Sequence, residues 1–262
     1  MKVSDILDCM EGLAPSYMKM DWDNVGLLCG DPDQEVTKIL VALDPFEDTA
    51  REAAEIGAQL VLTHHPLIFR PCKTVTESDP VGRTIRYMVK HDISAINAHT
   101  NLDCAPGGVN DVLAAMVGLT DVQVIDPQGE DGEGRPWGLL RMGTVKEQPL
   151  EEFLKTVKEN LGCPGLRYAE GGRPVHRVAV GGGACGSEMM DAIRAGCDTF
   201  VTSDLKYNQF WDAQDRGLSI IDAGHFYTEN PVCTMLKAAM EEKFPEITTV
   251  ISKKHGDCMK FF

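Results

Sequence analysis

The sequence is poor in positive charge. Its 25 lysines and arginines face 40 aspartates and glutamates, a formal net charge of −15. A general nucleic-acid binder needs a basic face, so that class is set aside. An anionic substrate would need a strong local cation, which a bound divalent metal supplies. The nine cysteines are scattered and odd in number, with no CxxC spacing, and read as reduced thiols of a cytoplasmic protein. No apolar run is long enough to cross a bilayer, so no membrane partner is expected. The amphipathic start, Met1-Lys2-Val3-Ser4-Asp5-Ile6-Leu7, lacks the apolar core of a signal peptide. Compact metal signatures such as HExxH are missing, and the glycine-rich turn at 181–186 lacks the lysine of a P-loop.

What the chain does have is Thr63-His64-His65-Pro66-Leu67-Ile68-Phe69 directly after the apolar run at 59–62. Adjacent residues of an extended chain point to opposite faces, but at a strand end the turning backbone can bring both histidines round one volume. Pro66 keeps His65 out of helical geometry. The flanking pattern is β-α-β. Strands are expected at 38–44, 60–63 and 93–98, and helices at 5–18, 46–57, 80–91 and 110–117. This alternation predicts parallel sheets with right-handed crossovers. The second half repeats it, with strands at 139–145, 177–180, 199–202 and 218–222 and helices at 149–161, 206–215 and 229–242. Closing strands are expected at 248–252 and 259–262. The acidic, glycine-rich stretch 127–136 reads as a linker. The expectation is two α/β domains of similar size with mainly parallel sheets, 1–126 and 127–262.

His64, His65, His99, Asp103, Asp204 and His225 all follow expected strands, and in open α/β sheets ligands bind at the carboxyl ends of strands. Thr228 reads as a helix N-cap, which would put Glu229 at a helix N-terminus. Three histidines with an aspartate and a glutamate suit Zn, Fe, Mn or Ni and are too rich in nitrogen for Ca or Mg. That is more than one tetrahedral ion needs. Chance placement of unrelated clusters explains the pattern equally well. His91, His176 and His255 read as loop or cap residues. Asp23 and Asn24 are either turn formers or partners that orient a ligating histidine, and Trp22 reads as packing rather than as stacking on a base.

Five segments in order carry a resemblance. They are Asp21-Trp22-Asp23-Asn24-Val25-Gly26-Leu27, the Thr63–Phe69 stretch, His99-Thr100-Asn101-Leu102-Asp103, Ser203-Asp204-Leu205-Lys206-Tyr207, and Gly224-His225 followed by Thr228-Glu229. Together the chain resembles the Nif-three-like family, often labelled GTP cyclohydrolase I type 2 homologues. The resemblance implies two divalent metal ions in a cleft between two α/β domains. It implies His64, His65, Asp103, His225 and Glu229 as ligands, with Asp103 bridging. It also implies a toroidal homohexamer, and an architecture in which the C-terminal end returns to the first domain. Asn208 stands where many members have a histidine.

The chemistry this implies is a metal-dependent hydrolase. Bound metal lowers the pKa of water from about 15.7 to about 7, and the resulting hydroxide would open the guanine ring of GTP or cleave a phosphoester. A nucleotide or a phosphorylated small molecule is the expected ligand. The competing expectation is a metal-holding ring that binds or regulates a partner without catalysis.

Overall fold

The computed structural model describes residues 1–262. The chain forms two compact units. One comprises Met1–Leu102 with Val232–Gly256, the other Asp103–Pro231 with Asp257–Phe262. These bounds differ from a division at 126. Strand Thr120–Ile125 pairs with Leu140–Gln148 of the second unit. Strand Thr248–Ile251 pairs in parallel with Lys38–Ala42 of the first. Residues 127–136 are no linker: Gly129–Glu130 and Pro136–Trp137 pair as a small antiparallel hairpin.

The first unit is built on a five-stranded sheet. Its order is Gly26–Cys29, Ser94–Asn97, Leu60–Thr63, Lys38–Ala42 and Thr248–Ile251. All pairings are parallel except the one between Gly26–Cys29 and Ser94–Asn97. Leu60–Thr63 is buried at every position, the continuous apolar signature of a strand covered on both faces. Helix Glu47–Ile56 lays Ala50 and Ala53 on this sheet against Leu40, Val61 and Met88. It ends at Gly57, whose φ of 68° is the left-handed cap that glycine takes without strain. Helix Pro80–Lys90 starts on Asp79, which accepts the Gly82 amide at 2.7 Å. Burying a leucine or valine here is worth about 1.5–3 kcal/mol, so a charge at Val61 would break the unit.

The second unit holds a six-stranded sheet. Its order is Thr120–Ile125, Leu140–Gln148, Val175–Val180, Thr199–Thr202, Ser219–Asp222 and Arg167–Ala169. Its middle is parallel and its flanks antiparallel. The two-residue alternation assigns its faces. Val178, Val180, Val201 and Ile221 pack with Phe153 on one side, while Ala179, Phe200 and Ile220 pack with Met189 on the other. Residues 259–262, expected as a strand, join no sheet and are exposed. No helix is long and apolar enough to cross a membrane.

The register decides which loops become neighbours. Thr63 lies opposite both Ala42 and Asn97, so the exits toward Asp44, His64 and His99 lie side by side. In the second unit Val180 lies opposite Val201, and Thr202 opposite Asp222. That aligns the exits toward Gly183, Asp204 and His225.

Candidate metal centre

In the first unit His64, His65 and His99 each offer a ring nitrogen within 4.8 Å of the other two. His64 is fully buried, and its ring centroid is 5.1 Å from that of His65 and 5.2 Å from that of His99. Each ring is held from behind. His64 Nδ1 donates to the Ala98 carbonyl at 2.9 Å. His65 Nδ1 meets Asp44 at 2.7 Å, and His99 Nδ1 meets Asp23 at 2.8 Å. An Nδ1–H committed in this way leaves Nε2 as the ligating nitrogen and raises its basicity. Asp23 also accepts the Thr100 amide and hydroxyl, at 3.0 and 2.6 Å. Burial alone would push its carboxyl up, but the hydrogen bonds from His99 and Thr100 outweigh it and hold the group well below the usual carboxylate range. Asp23 thus fixes the orientation of the His99 ring.

The second unit holds an acidic cluster. His225 and Glu229 lie one helical turn apart in His225–Glu229, with Nε2 and Oε2 at 3.0 Å. The expected N-terminal position for Glu229 is therefore wrong, because the helix begins on Gly224. The i,i+4 spacing puts the two side chains on one face. Thr228 is not the cap. Its hydroxyl donates to the Gly224 and His225 carbonyls and accepts the Gly183 amide. Asp204 holds His225 Nδ1 at 2.7 Å. Burial lowers the His225 pKa, but the hydrogen bonds to Asp204 and Glu229 outweigh that and bring it up to about 11.

Asp103, in the short helix Thr100–Cys104, has a carboxylate oxygen within 4.8 Å of one from Glu229. Both residues are buried. Two buried carboxylates that close repel each other, and a cation bound to both relieves the repulsion. Imidazole nitrogens with carboxylate oxygens form the borderline-hard donor set of Zn, Fe, Mn or Ni. The residues present fit such ions.

Two supports were not legible in the sequence. Buried Arg141 pairs with Asp111 at 2.8 Å and donates to the carbonyls of Gly138, Cys104 and Ala105, gripping the chain just after Asp103. Asn110, also buried, donates to the Asp103 and Leu139 carbonyls and accepts the Gly182 amide at 2.7 Å. In the glycine-rich turn at 181–186 the Gly182 and Gly183 amides are committed to Asn110 and Thr228. Lys206 is exposed at the start of helix Tyr207–Asp215. His91 caps helix Pro80–Lys90, while His176 lies on the exposed face of a strand, bonded to the Val145 carbonyl.

The family described as Duf34/NIF3 (NGG1p interacting factor 3) matches residues 1–257. A Clostridium perfringens protein named GTP cyclohydrolase 1 type 2 homolog is 36% identical over 263 residues, covering 100% of both chains. A Streptomyces coelicolor protein of the same name is 37% identical over 264 residues, covering 97% of this chain and 88% of its own. Among solved structures, Staphylococcus aureus protein SA1388 superposes with a TM-score of 0.91 at 29% identity, over 100% of this chain and 99% of that one. A Bacillus cereus protein related to NIF3 superposes with a TM-score of 0.93 at 25% identity, over the same shares.

Proposed function

The chain belongs to the Duf34/NIF3 family, and on that premise we propose that it is a divalent-metal-dependent hydrolase. Its centre is a pair of ions held by His64, His65, Asp103, His225 and Glu229, with Asp103 as the bridge and His99 as an added donor beside the tandem imidazoles. The observation that carries this reading is the treatment of the imidazoles. Each of His64, His65, His99 and His225 has its Nδ1 engaged by a carbonyl or carboxylate of its own unit. His91 and His176 make a similar Nδ1 bond to a carbonyl but belong to no such cluster, whereas His64, His65 and His99 also bring their ring nitrogens within 4.8 Å of one another.

When bound, the ions would supply an activated water and a Lewis-acid clamp on the attacked group. The protein's own residues do the rest. Asp44, Asp23 and Asp204 set the tautomer and ring orientation of their histidines. The buried Asp103 and Glu229 supply the negative charge that binds cations in place. The His225 imidazole is positioned between the Asp204 and Glu229 carboxylates, with Nδ1 on Asp204 and Nε2 toward Glu229, and would be one of the residues that hold a cation. GTP ring opening and phosphoester cleavage both use such a centre, and the name of the relatives favours the first as the reaction to test. We also propose the toroidal homohexamer as the assembly, which sedimentation would check.

The experiment is a screen of purified, metal-loaded protein against GTP and simple phosphoesters. Turnover that disappears in Asp103→Ala and His65→Ala supports the hydrolase. Variants that lose metal beside a wild type that turns over nothing would instead support a non-catalytic metal-holding ring.

A further inference from the structure

Trp22 and Phe69 are left 62% and 46% exposed in the first unit, although both stand against the histidine cluster. Their ring centroids are 5.7 Å apart, edge to face. Each also meets the His99 ring edge-on, at 6.2 and 6.0 Å. Trp22 packs edge-on against the Phe69 and His99 rings, yet most of its surface is left exposed.

The loops beneath this pair are tied down. Asn24 donates to the Ile68 carbonyl at 2.7 Å and joins the Trp22 loop to the Phe69 loop. Asp23, next to Trp22, is locked by His99, Thr100 and the Asn24 amide. A large aromatic pair kept in water on fixed loops is unfavourable by about 25 cal/mol per Å² of apolar surface, and a flat ligand face removes that cost. Phe69 also lines a cavity of about 830 Å³ together with Arg70 and Lys73. The cavity's Glu47 is taken by Arg51 and Arg83, and its Asp79 by the Gly82 amide. Arg70 and Lys73 have no such partners; exposed Asp48 is the one lining carboxylate left over, so two uncommitted cations stand against one anion. On a chain of net charge −15, the two cations are local attractors for an anion.

We propose that Trp22 and Phe69 are the platform for the planar heteroaromatic ring of an anionic substrate, a nucleotide in the simplest case, with Arg70 and Lys73 meeting its phosphates. The assignment deepens the metal-centre reading and rests on it only for where the reacting end of the ligand lies. Ring stacking is tolerant of ring identity because every base has a π-face, so the platform selects a class of ligand. It sets the ring's distance from His99.

The test uses full-length, metal-loaded protein carrying Trp137→Phe and Trp211→Phe, so that Trp22 alone reports by fluorescence, with calorimetry in parallel on the unmodified chain. The probes are GTP, ATP and inorganic tripolyphosphate. Nucleotides should quench Trp22, and tripolyphosphate should not. Trp22→Ala and Phe69→Ala should weaken nucleotide binding about ten- to a hundredfold and leave tripolyphosphate affinity and metal content unchanged, with Trp22→Phe restoring most of the loss. Equal weakening of all three probes would overturn the platform, as would a fully metallated wild type that binds no nucleotide. Variants that alter only the oligomeric mass would make the pair a contact between copies and overturn it too. A protein that quenches with nucleotide yet holds no metal would keep the platform and sink the metal centre.

Discussion

A Cβ built on Gly183 would stand 2.1 Å from Oε1 of Glu229 and 3.2 Å from Nε2 of His225, and Gly183 holds φ at +64°. Only glycine fits this position, for reasons of backbone and of space. Gly183→Ala should therefore push Glu229 out of place. We expect a loss of about 1 kcal/mol or more in stability, read by urea unfolding. We also expect at least about a tenfold loss of metal affinity, read by competition with a chelator. Full metal affinity in this variant would mean that Glu229 is not a ligand.

Asp44, Asp23 and Asp204 touch only the Nδ1 side of their histidines. Alanine at any of the three should lower metal affinity about 10–100-fold without deleting a ligand. Asparagine should recover part of the loss at each, because its side-chain oxygen still accepts the Nδ1 proton. Metal titrations of the six variants check the order.

Arg141 is buried, its three nitrogens making five hydrogen bonds to Asp111 and to the carbonyls of Cys104, Ala105 and Gly138. Arg141→Met should cost about 3 kcal/mol, because it strands those acceptors. Arg141→Lys should recover little, since one ammonium cannot span the fork. Thermal unfolding of both variants checks this.

Glu52 is the anchor of the C-terminal segment, accepting from the Ser252 hydroxyl and from the Lys253 and Lys254 amides. Burial raises its pKa, but those hydrogen bonds outweigh it and leave the group lowered. A carboxyl depressed in the folded state contributes stability above its unfolded pKa of about 4.3. That contribution is lost as pH falls through the folded value. Glu52→Gln should therefore lower Tm at pH 7, and the gap to wild type should narrow once the pH drops below about 4. A gap that stays constant with pH would contradict the linkage.

None of the nine thiols is in a disulfide, and Cys72 and Cys258 are the exposed ones. Burial pushes the Cys197 thiol up to about 11, and pushes that of Cys185 up as well, helped by Asp103, Glu188 and Glu229. Brief alkylation of native protein at pH 8 should label Cys72 and Cys258 and spare Cys185 and Cys197, as peptide mass mapping would show.

The alternation of strands and helices was legible because the central strands are buried on both faces and read as apolar runs. Thr120–Ile125 and Arg167–Ala169 were not, because both are edge strands whose residues are mostly exposed, so hydrophobic period carries little signal there. The short helix His225–Glu229 was hidden because one turn is too brief for periodicity, and Thr228 next to Pro231 imitates a helix start. His99 was noticed at a strand end, yet only the register of Thr63 against Asn97 places it beside His64 and His65. Arg141 looked like any strand residue. Its burial depends on acceptors contributed from residues 104, 105, 111 and 138, which no local pattern announces.

Elemental analysis of the protein as isolated, beside His65→Ala, Asp103→Ala and Glu229→Ala, is the most direct check on the metal centre. A wild type that carries close to a pair of transition-metal ions per chain, with each variant losing most of them while remaining folded, is the predicted result. A folded wild type that is free of metal, and that takes up none from excess zinc, iron, manganese or nickel, would contradict it.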